Sequence, residues 1–526
     1  MDSYVGDSIF KSYFDNINKL PISLGIDRKV LGAYYTDEHI VKYILNNLGI
    51  KKQSYILDPS CGCGSFVFPL YFRSLGGTPE NSFQIYGVDV DKRAIDYTVD
   101  TISKLPGSID KEEIQNHFIN DDFIFESQSI VKNKKKLCNI VETGGFHFII
   151  GNPPFNLNTL KNKPLALQNK EHLDIAKKSR NIPIYFILRG LEILRMGGVL
   201  VFVLPKTLLY VSKYNEFRQY LVKNFTIMKI VEIGMKFKGV RGEQVILFIK
   251  NKRPTKTSSV EFASISPEPP YQSENSFHLK QEYFTSMKAI PTMLNKESYS
   301  IVKELTEKHQ KFIKPSEIIV LRGISLGKNI IKAIPYNGDC DIPKNAFLRG
   351  RGISKLGLRE LTVVDDSYLP RKRIIELSRP KIVAQNIYSS ESGLISYLDV
   401  QGIPTSETVT NILIDNKEKI AYVFALLNSK LMNFYMSQFV FSGSRLTMHV
   451  DGYYLHQLPF IWDTEKEETS YLIKLGMNLS SKGVENYKGY LQEIDNTVYK
   501  LYGISEEQRK TIEEIMNKTL SIKSKW

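Results

Sequence analysis

From about residue 35 to 250 the chain alternates short apolar runs with stretches whose apolar residues recur every three or four positions. The runs are SYIL (54–57), FQIYGVDV (83–90), HFIN (117–120), FHFII (146–150), GVLVFVL (198–204), IMKIVEI (227–233) and EQVILFI (243–249). Between them lie segments such as DKRAIDYTVDTIS and IPIYFILRGLEILR. Apolar runs of this length bounded by turns predict strands, and the wider spacing predicts helices. Their alternation predicts an α/β domain over 1–250, built on a mostly parallel seven-stranded sheet with helices on both faces. One stretch departs from the pattern. NLNTLKNKPLALQNKEHLDIAKKSRN (156–181) is polar and basic, and reads as a long functional loop.

The texture changes after 251, beginning with NKRPTKTSSVEF, where regular alternation of strand and helix is lost. A second, mixed α+β domain is expected over 251–464. It carries basic turns (FLRGRGISKLGLRE, YLPRKRIIELSRPK) and an amphipathic helix (KEKIAYVFALLNSKLMNFYMSQF). From 465 to 526 the pattern is helical and amphipathic, which suggests a separate C-terminal segment.

A length of 526 residues exceeds what one ordinary core accommodates, in keeping with more than one domain. The balance of 70 Lys and Arg against 56 Asp and Glu gives a formal charge of +14, which favours a polyanionic partner such as nucleic acid or an anionic membrane. No stretch approaches the ~20 uncharged apolar residues needed to cross a bilayer. The start, MDSYVGDSIFKSYFDNINKL, is acidic and polar where a secretory signal would be basic and then apolar. A cytoplasmic protein without a membrane partner is expected. The four cysteines, at 61, 63, 138 and 340, are too few to staple a chain this long, and Cys61-x-Cys63 lacks the gap of a usual zinc site. They read as small residues lining a tight turn, and no metal is expected.

Chemistry concentrates at strand ends. In ILDPSCGCGSFVFPL (56–70) an apolar strand delivers Asp58 to its carboxyl end, and Gly62 and Gly64 let the backbone approach a ligand before a helix begins. The third glycine of the dinucleotide fingerprint and the Walker lysine are both missing, which argues against NAD and nucleoside triphosphates. An acidic residue ahead of the turn favours a ligand that carries positive charge. Asp89, closing the next strand in YGVDVD, stands where ribose hydroxyls are usually held. A sugar plus a cationic group points to S-adenosylmethionine. Asp122 and Phe123 in INDDFIF follow the third strand, with an acceptor for the adenine amino edge and a ring for its face. Asp58, Asp89 and Asp122 thus close three successive strands along one rim.

The fourth strand ends in IIGNPPFN (149–156). Proline donates no N–H and restricts its neighbour, so the backbone leaves the sheet pinned. The side-chain oxygen of Asn152 and the carbonyl of Pro153 can accept the two hydrogens of one amino group, and Phe155 offers a flat face for a base. Two neutral acceptors held in fixed geometry favour a more tetrahedral nitrogen, so catalysis would rest on preorganisation without a strong base.

LDPSCGCGSF, GVDVD, DF after the third strand, and GNPPF, in that order, resemble the S-adenosylmethionine-dependent adenine-N6 DNA methyltransferases of restriction-modification systems, in which a catalytic domain precedes a target-recognition domain. The resemblance spans about 31 to 250. It implies a Rossmann-like methyltransferase fold that transfers a methyl group to N6 of an adenine flipped out of double-stranded DNA. It also implies that Thr36 in LGAYYTDEHIVKYIL touches the methionine end of the cofactor, with Asp37 where the family usually has proline. Phe237 in GMKFKGVRGEQVILF would be the second base-stacking aromatic. Phe155 stands where many members have tyrosine, which keeps stacking and drops a hydroxyl. The basic stretch 156–181 would close over the flipped base, and a cognate restriction endonuclease is allowed as a second partner. Methyltransferases acting on protein glutamine or on RNA adenine are rivals, since they face the same two hydrogens, as is a DNA-binding relative that has lost catalysis. The roughly 270 residues after the catalytic region suit the reading of a duplex better than a small amide. The roughly 30 residues before the first motif argue against a nuclease fused at the front.

Overall fold

The computed structural model describes residues 11–17, 36–75, 83–105, 107–125, 139–155, 164–236, 242–266, 268–269, 271–292, 295–307, 312–336, 341–367, 369–481 and 487–521. The chain divides into two compact units, Met1–Thr292 and Met293–Trp526.

The first unit is built on strands β1 (Tyr55–Asp58), β2 (Gln84–Asp89), β3 (Phe118–Asn120), β4 (Phe146–Gly151), β5 (Leu194–Pro205), β6 (Thr226–Gly234), β7 (Gln244–Lys250), β8 (Ser259–Ile265) and β9 (Ser273–Lys280). They form one sheet in the order β3-β2-β1-β4-β5-β7-β6-β8-β9. The pairs β3–β2, β2–β1, β1–β4, β4–β5 and β6–β8 are parallel. β7 lies antiparallel between β5 and β6, and β9 runs antiparallel at the edge. All seven expected strands are present in one sheet. β8 and β9 add two more, so the first unit continues past the expected limit at 250. Five helices position the site: α1 (Glu38–Asn46), α2 (Val67–Leu75), α3 (Lys92–Ser103), α4 (Lys170–Ser179) and α5 (Ile182–Ile193).

Strand pleating sorts the core onto two faces. Val201 and Val203 of β5 join a cluster with Val41 of α1, Phe68 of α2 and Ile95 of α3. Leu200, of the opposite parity, meets α5 on the other face, where a Cβ on Gly190 would lie 2.7 Å from its Cδ1. α5 is apolar nearly all round, as a helix pressed against a sheet must be. Its start is fixed by Asn181, whose side chain accepts from the Ile184 N–H at 3.2 Å, and by Pro183 in the first turn.

The stretch read as a long basic loop is shorter than expected. Residues 156–163 lie outside the described residues, but 170–179 form α4, capped by the Asn169 side chain, which accepts from the Glu171 N–H at 2.9 Å. His172 of α4 is buried, with Nδ1 3.0 Å from Glu192 Oε1 and Nε2 2.9 Å from the Tyr220 hydroxyl. Glu192 also accepts from the N–H groups of Gln168 and Asn169. Only a few apolar residues mark this helix, and its buried face is held by polar pairing that spacing alone does not reveal.

In the second unit a four-stranded antiparallel sheet runs in the order Ile319–Arg322, Val409–Leu413, Lys381–Gln385, Ser396–Asp399. A three-stranded sheet is formed by Ile330–Pro335, Glu360–Val364 and Ala346–Phe347. The helix Lys417–Leu427 is almost wholly buried. Helix Glu467–Ser481 packs against it so closely that a Cβ on Gly476 would lie 2.1 Å from the Ala421 carbonyl oxygen. The helical tail expected as a separate segment from 465 therefore belongs to the same compact unit as the strands before it.

Candidate active site

In an open α/β sheet, ligands bind beyond the carboxyl ends of the strands where strand order reverses. Here that point lies between β1 and β4. β1 is buried on both faces and ends in Asp58, which is itself buried. The Ser60 N–H donates to Asp58 Oδ1 at 3.1 Å. The chain then turns through Gly62 (φ 52°) and Gly64 (φ 94°), left-handed conformations that favour glycine. The Gly62 N–H donates to Asp89 Oδ2 at 2.8 Å, and the Asp91 N–H donates to Asp89 Oδ1 at 2.9 Å. Asp89, at the end of β2, is thereby fixed by both flanking turns. The turn is held from behind by the Thr98 hydroxyl, which donates to the Gly62 carbonyl at 3.0 Å. The Tyr13 hydroxyl donates to the Cys63 carbonyl at 2.5 Å, and the Tyr13 ring stacks on Phe68 of α2 with centroids 3.8 Å apart. Cys61 and Cys63 are buried in the turn, and neither forms a disulfide.

The two carboxyl groups are electrostatically unsettled. Burial pushes Asp58 up to about 8, against hydrogen bonding from Ser60, and the Asp89 charge adds to the rise. Burial likewise pushes Asp89 up to about 6, opposed by the N–H donors of Asp91 and Gly62. Two carboxyl groups that resist ionising together form a site ready for positive charge.

β4 carries the second half of the site to the same place. It lies parallel between β1 and β5, with Ile149 opposite Leu57 and Gly151 opposite Phe202. A Cβ on Gly151 would stand 2.8 Å from Asp58 Oδ1, so Asn152, Pro153, Pro154 and Phe155 leave the sheet directly beside the β1 carboxyl group. Pro153 is buried, while Asn152 and Phe155 are half-buried. Part of the Phe155 ring packs against the apolar cluster that includes Val41 and Phe66.

Thr36 is buried just ahead of α1. Asp37, standing where the resembling family has proline, caps that helix by accepting from the His39 N–H at 2.9 Å. Asp122 and Phe123 follow β3. Asp122 Oδ1 accepts from the Ile124 N–H at 3.2 Å, and Phe123 leans on Phe186 of α5 with centroids 5.4 Å apart. Asp58, Asp89 and Asp122 thus follow the adjacent strands β1, β2 and β3 at one rim. Phe237 lies outside the described residues.

Val90, next to Asp89, is 53% exposed, an apolar side chain in water at the rim. Sequence reading passed over it as part of the strand. Parity with the buried Val88 predicts a buried side chain here, so no sequence signal marks its exposure.

This rim fits S-adenosylmethionine in its own chemistry. The Asp89 carboxylate accepts from main-chain N–H groups on both oxygens and, with about four lone-pair sites, can still accept a hydroxyl. The Ser60 and Ser65 hydroxyl oxygens are buried in the turn without a hydrogen-bond partner among the described residues. The space a Cβ on Gly64 would need is taken by Tyr13 and Thr98, while Val90 offers an apolar surface for a base.

Strand order, the antiparallel β7 and the acidic rim define an α/β fold of the methyltransferase kind. Residues 83–238 match the family Eco57I restriction-modification methylase, and residues 345–460 match the TaqI-like C-terminal specificity domain. The chain joins these two elements in that order. It is 26% identical over 261 residues to the type II methyltransferase M.HincII of Haemophilus influenzae, which covers 48% of this chain and 43% of that protein. It is 25% identical over 224 residues to the type II methyltransferase M.TthHB8I of Thermus thermophilus, covering 41% and 44%. The chain therefore spans less than half the length of these curated relatives. Among solved structures it resembles the type IIL restriction-modification enzyme MmeI in complex with DNA, with a TM-score of 0.55 and 13% identity over 94% of this chain and 80% of that one.

Proposed function

We propose that this protein transfers a methyl group from S-adenosylmethionine to N6 of an adenine turned out of double-stranded DNA. The observation that carries the reading is the placement of Asn152-Pro153-Pro154-Phe155 at the carboxyl end of β4, beside Asp58 at the switch point of the sheet. Bound at the rim, S-adenosylmethionine supplies a methyl carbon made electrophilic by its sulfonium. Asp89 accepts the ribose hydroxyls, and Asp122, Phe123 and Val90 surround the adenine. Asp58, Gly62, Gly64 and Thr36 line the methionine side.

The chain's own part in the reaction is orientation. Asn152 Oδ1 and the Pro153 carbonyl accept the two amino hydrogens of the target base, leaving the nitrogen lone pair out of the ring plane. A duplex hides that amine, so the base must leave the stack at a cost of a few kcal/mol. Stacking on Phe155, and on Phe237, would offset roughly 1–3 kcal/mol per ring. The second unit, which contains the specificity-domain match, would grip phosphates and read base edges. Among the described residues no helix is long and apolar enough to cross a membrane, and a cytoplasmic enzyme is part of this reading. In a restriction-modification setting the methyl mark would protect DNA from a cognate endonuclease.

The test supplies the full chain with methyl-labelled cofactor and mixed-sequence duplex, then digests the products to nucleosides. Label in N6-methyl-2′-deoxyadenosine is expected, with binding that weakens steeply with salt as phosphate contacts release counterions. Label on cytosine, RNA or protein glutamine would replace the reading with a rival.

A further inference from the structure

We infer that the outer face of the short helix Arg371–Leu377 is a DNA-contacting element, with Arg371 and Lys372 on backbone phosphates and Ile375 against a thymine methyl. This inference rests on the proposal that the chain acts on duplex DNA, and it names residues for which no role follows from the site on the first unit.

The helix has two unlike faces. Ile374 and Leu377 turn inward onto a cluster of Ile324, Leu326, Phe347, Val364 and Leu369, and Leu377 is wholly buried. The Arg373 guanidinium pins the same side, donating to the Arg322 carbonyl at 2.7 Å and pairing with Glu376 at 2.5 Å. Ile375 points the other way and is 71% exposed. Arg371 and Lys372 stand four and three residues before it, the spacing that puts side chains on one helix face. Both are exposed, and neither has an ion pair among the described residues. Of the acidic groups close in sequence, Asp366 is exposed and the others make contacts. Glu376 is held by Arg373, Asp415 pairs with Arg379, and the Asp365 carboxylate accepts from the Ser367 N–H at 3.1 Å.

An isoleucine left in water one helical turn beyond two cations that have no ion pair among the described residues, on a helix anchored by its other face, makes a rigid surface that is positive at one end and apolar at the other. Duplex DNA matches both features, since phosphates flank a groove in which the thymine methyl is the principal apolar contact. The helix also falls inside the segment 345–460 that matches the specificity domain.

The experiment uses the full chain and a pool of short random-sequence duplexes. Binding is followed by fluorescence anisotropy across a salt series, and the retained duplexes are sequenced. The double variant Arg371→Ala/Lys372→Ala should lower the slope of log affinity against log salt by about 2, close to one counterion per lost phosphate contact. Ile375→Ala should leave the slope unchanged and relax the sequence preference at one A·T position by about tenfold. All three side chains are exposed, so thermal unfolding should match the wild type and shows that the variants fold. If the wild type binds duplex and the variants match it in slope and in retained sequences, the inference fails and the proposed function stands. If the wild type binds no duplex, both fail. If the variants instead lose binding to phosphatidylcholine–phosphatidylglycerol vesicles while keeping duplex binding, the face belongs to an anionic membrane surface and the inference is overturned.

Discussion

The Gly62 N–H donates to Asp89 Oδ2 over 2.8 Å, so the turn that ends β1 is closed by a side chain from the end of β2. The two acidic strand ends are therefore one mechanical unit. The residue proposed to hold the cofactor ribose also sets the shape of the glycine turn that would face the rest of the cofactor.

Asp89→Ala removes both functions at once. Hydrogen bonds to a charged group contribute about 1.5–3 kcal/mol each. We expect S-adenosylmethionine to bind roughly thirtyfold more weakly, read by titration calorimetry, with a smaller loss of thermal stability from the freed turn.

Asn152→Ala separates orientation from binding. Deleting one preorganised polar group at a reacting centre costs about 10²–10³ in rate. Single-turnover methyl transfer should fall by that factor, while cofactor affinity measured by calorimetry stays near the wild-type value.

Gly151→Ala tests how tightly the two strand ends meet. The added Cβ would lie 2.8 Å from Asp58 Oδ1 and 3.5 Å from Pro59 Cδ. Overpacking of this kind costs about 1–3 kcal/mol. A lower melting temperature and weaker cofactor binding should appear together, because the displaced atom belongs to the proposed cofactor rim.

The carboxyl pair predicts a dependence on pH. Asp58 and Asp89 are raised from 3.8 to about 8 and about 6. The folded chain thus keeps protons that the unfolded chain has lost. Their contribution to stability is fully present below 3.8 and is lost as pH rises through about 6 and then about 8. The melting temperature of the cofactor-free chain should fall across that window, and Asp58→Asn should flatten the upper part. A cationic ligand favours the ionised pair, so S-adenosylmethionine should bind with proton release. Its advantage over the uncharged thioether product should grow with pH, which calorimetry in buffers of different ionisation enthalpy measures.

Lys381 and Asp399 form a buried ion pair in the second unit, 2.7 Å apart. Asp399 also accepts from the N–H groups of Gln401, Gly402 and Ile403, and Lys381 donates to the Ile403 carbonyl at 2.9 Å. Removing one partner of such a pair strands the other charge, at a cost of about 3–5 kcal/mol. Lys381→Met should shift urea unfolding by that amount.

Much of the first unit was legible because parallel strands buried on both faces write themselves as apolar runs, as YILD and GVLVFVL do. β9 was not, because SENSFHLK is an edge strand with most side chains in water and no alternation to betray it. β8 follows the proline- and threonine-rich turn at 254–257, which reads as a domain boundary. At the rim, Asp58, Asp89 and Asn152 could be picked out because each closes a recognisable strand. That Gly62 leans on Asp89, or that Asp37 caps α1, depends on distances that residue spacing does not carry. The pairing of Lys381 with Asp399 likewise appears only once two strands lie side by side.

Tyr13 sits outside every motif, yet its hydroxyl and ring clasp the Cys63 carbonyl and Phe68. The short helix at 11–17 thus serves as an outboard brace for the glycine turn, and changes at that end of the chain are felt some fifty residues away. Tyr13→Phe then becomes the gentlest dial for how firmly the turn is gripped.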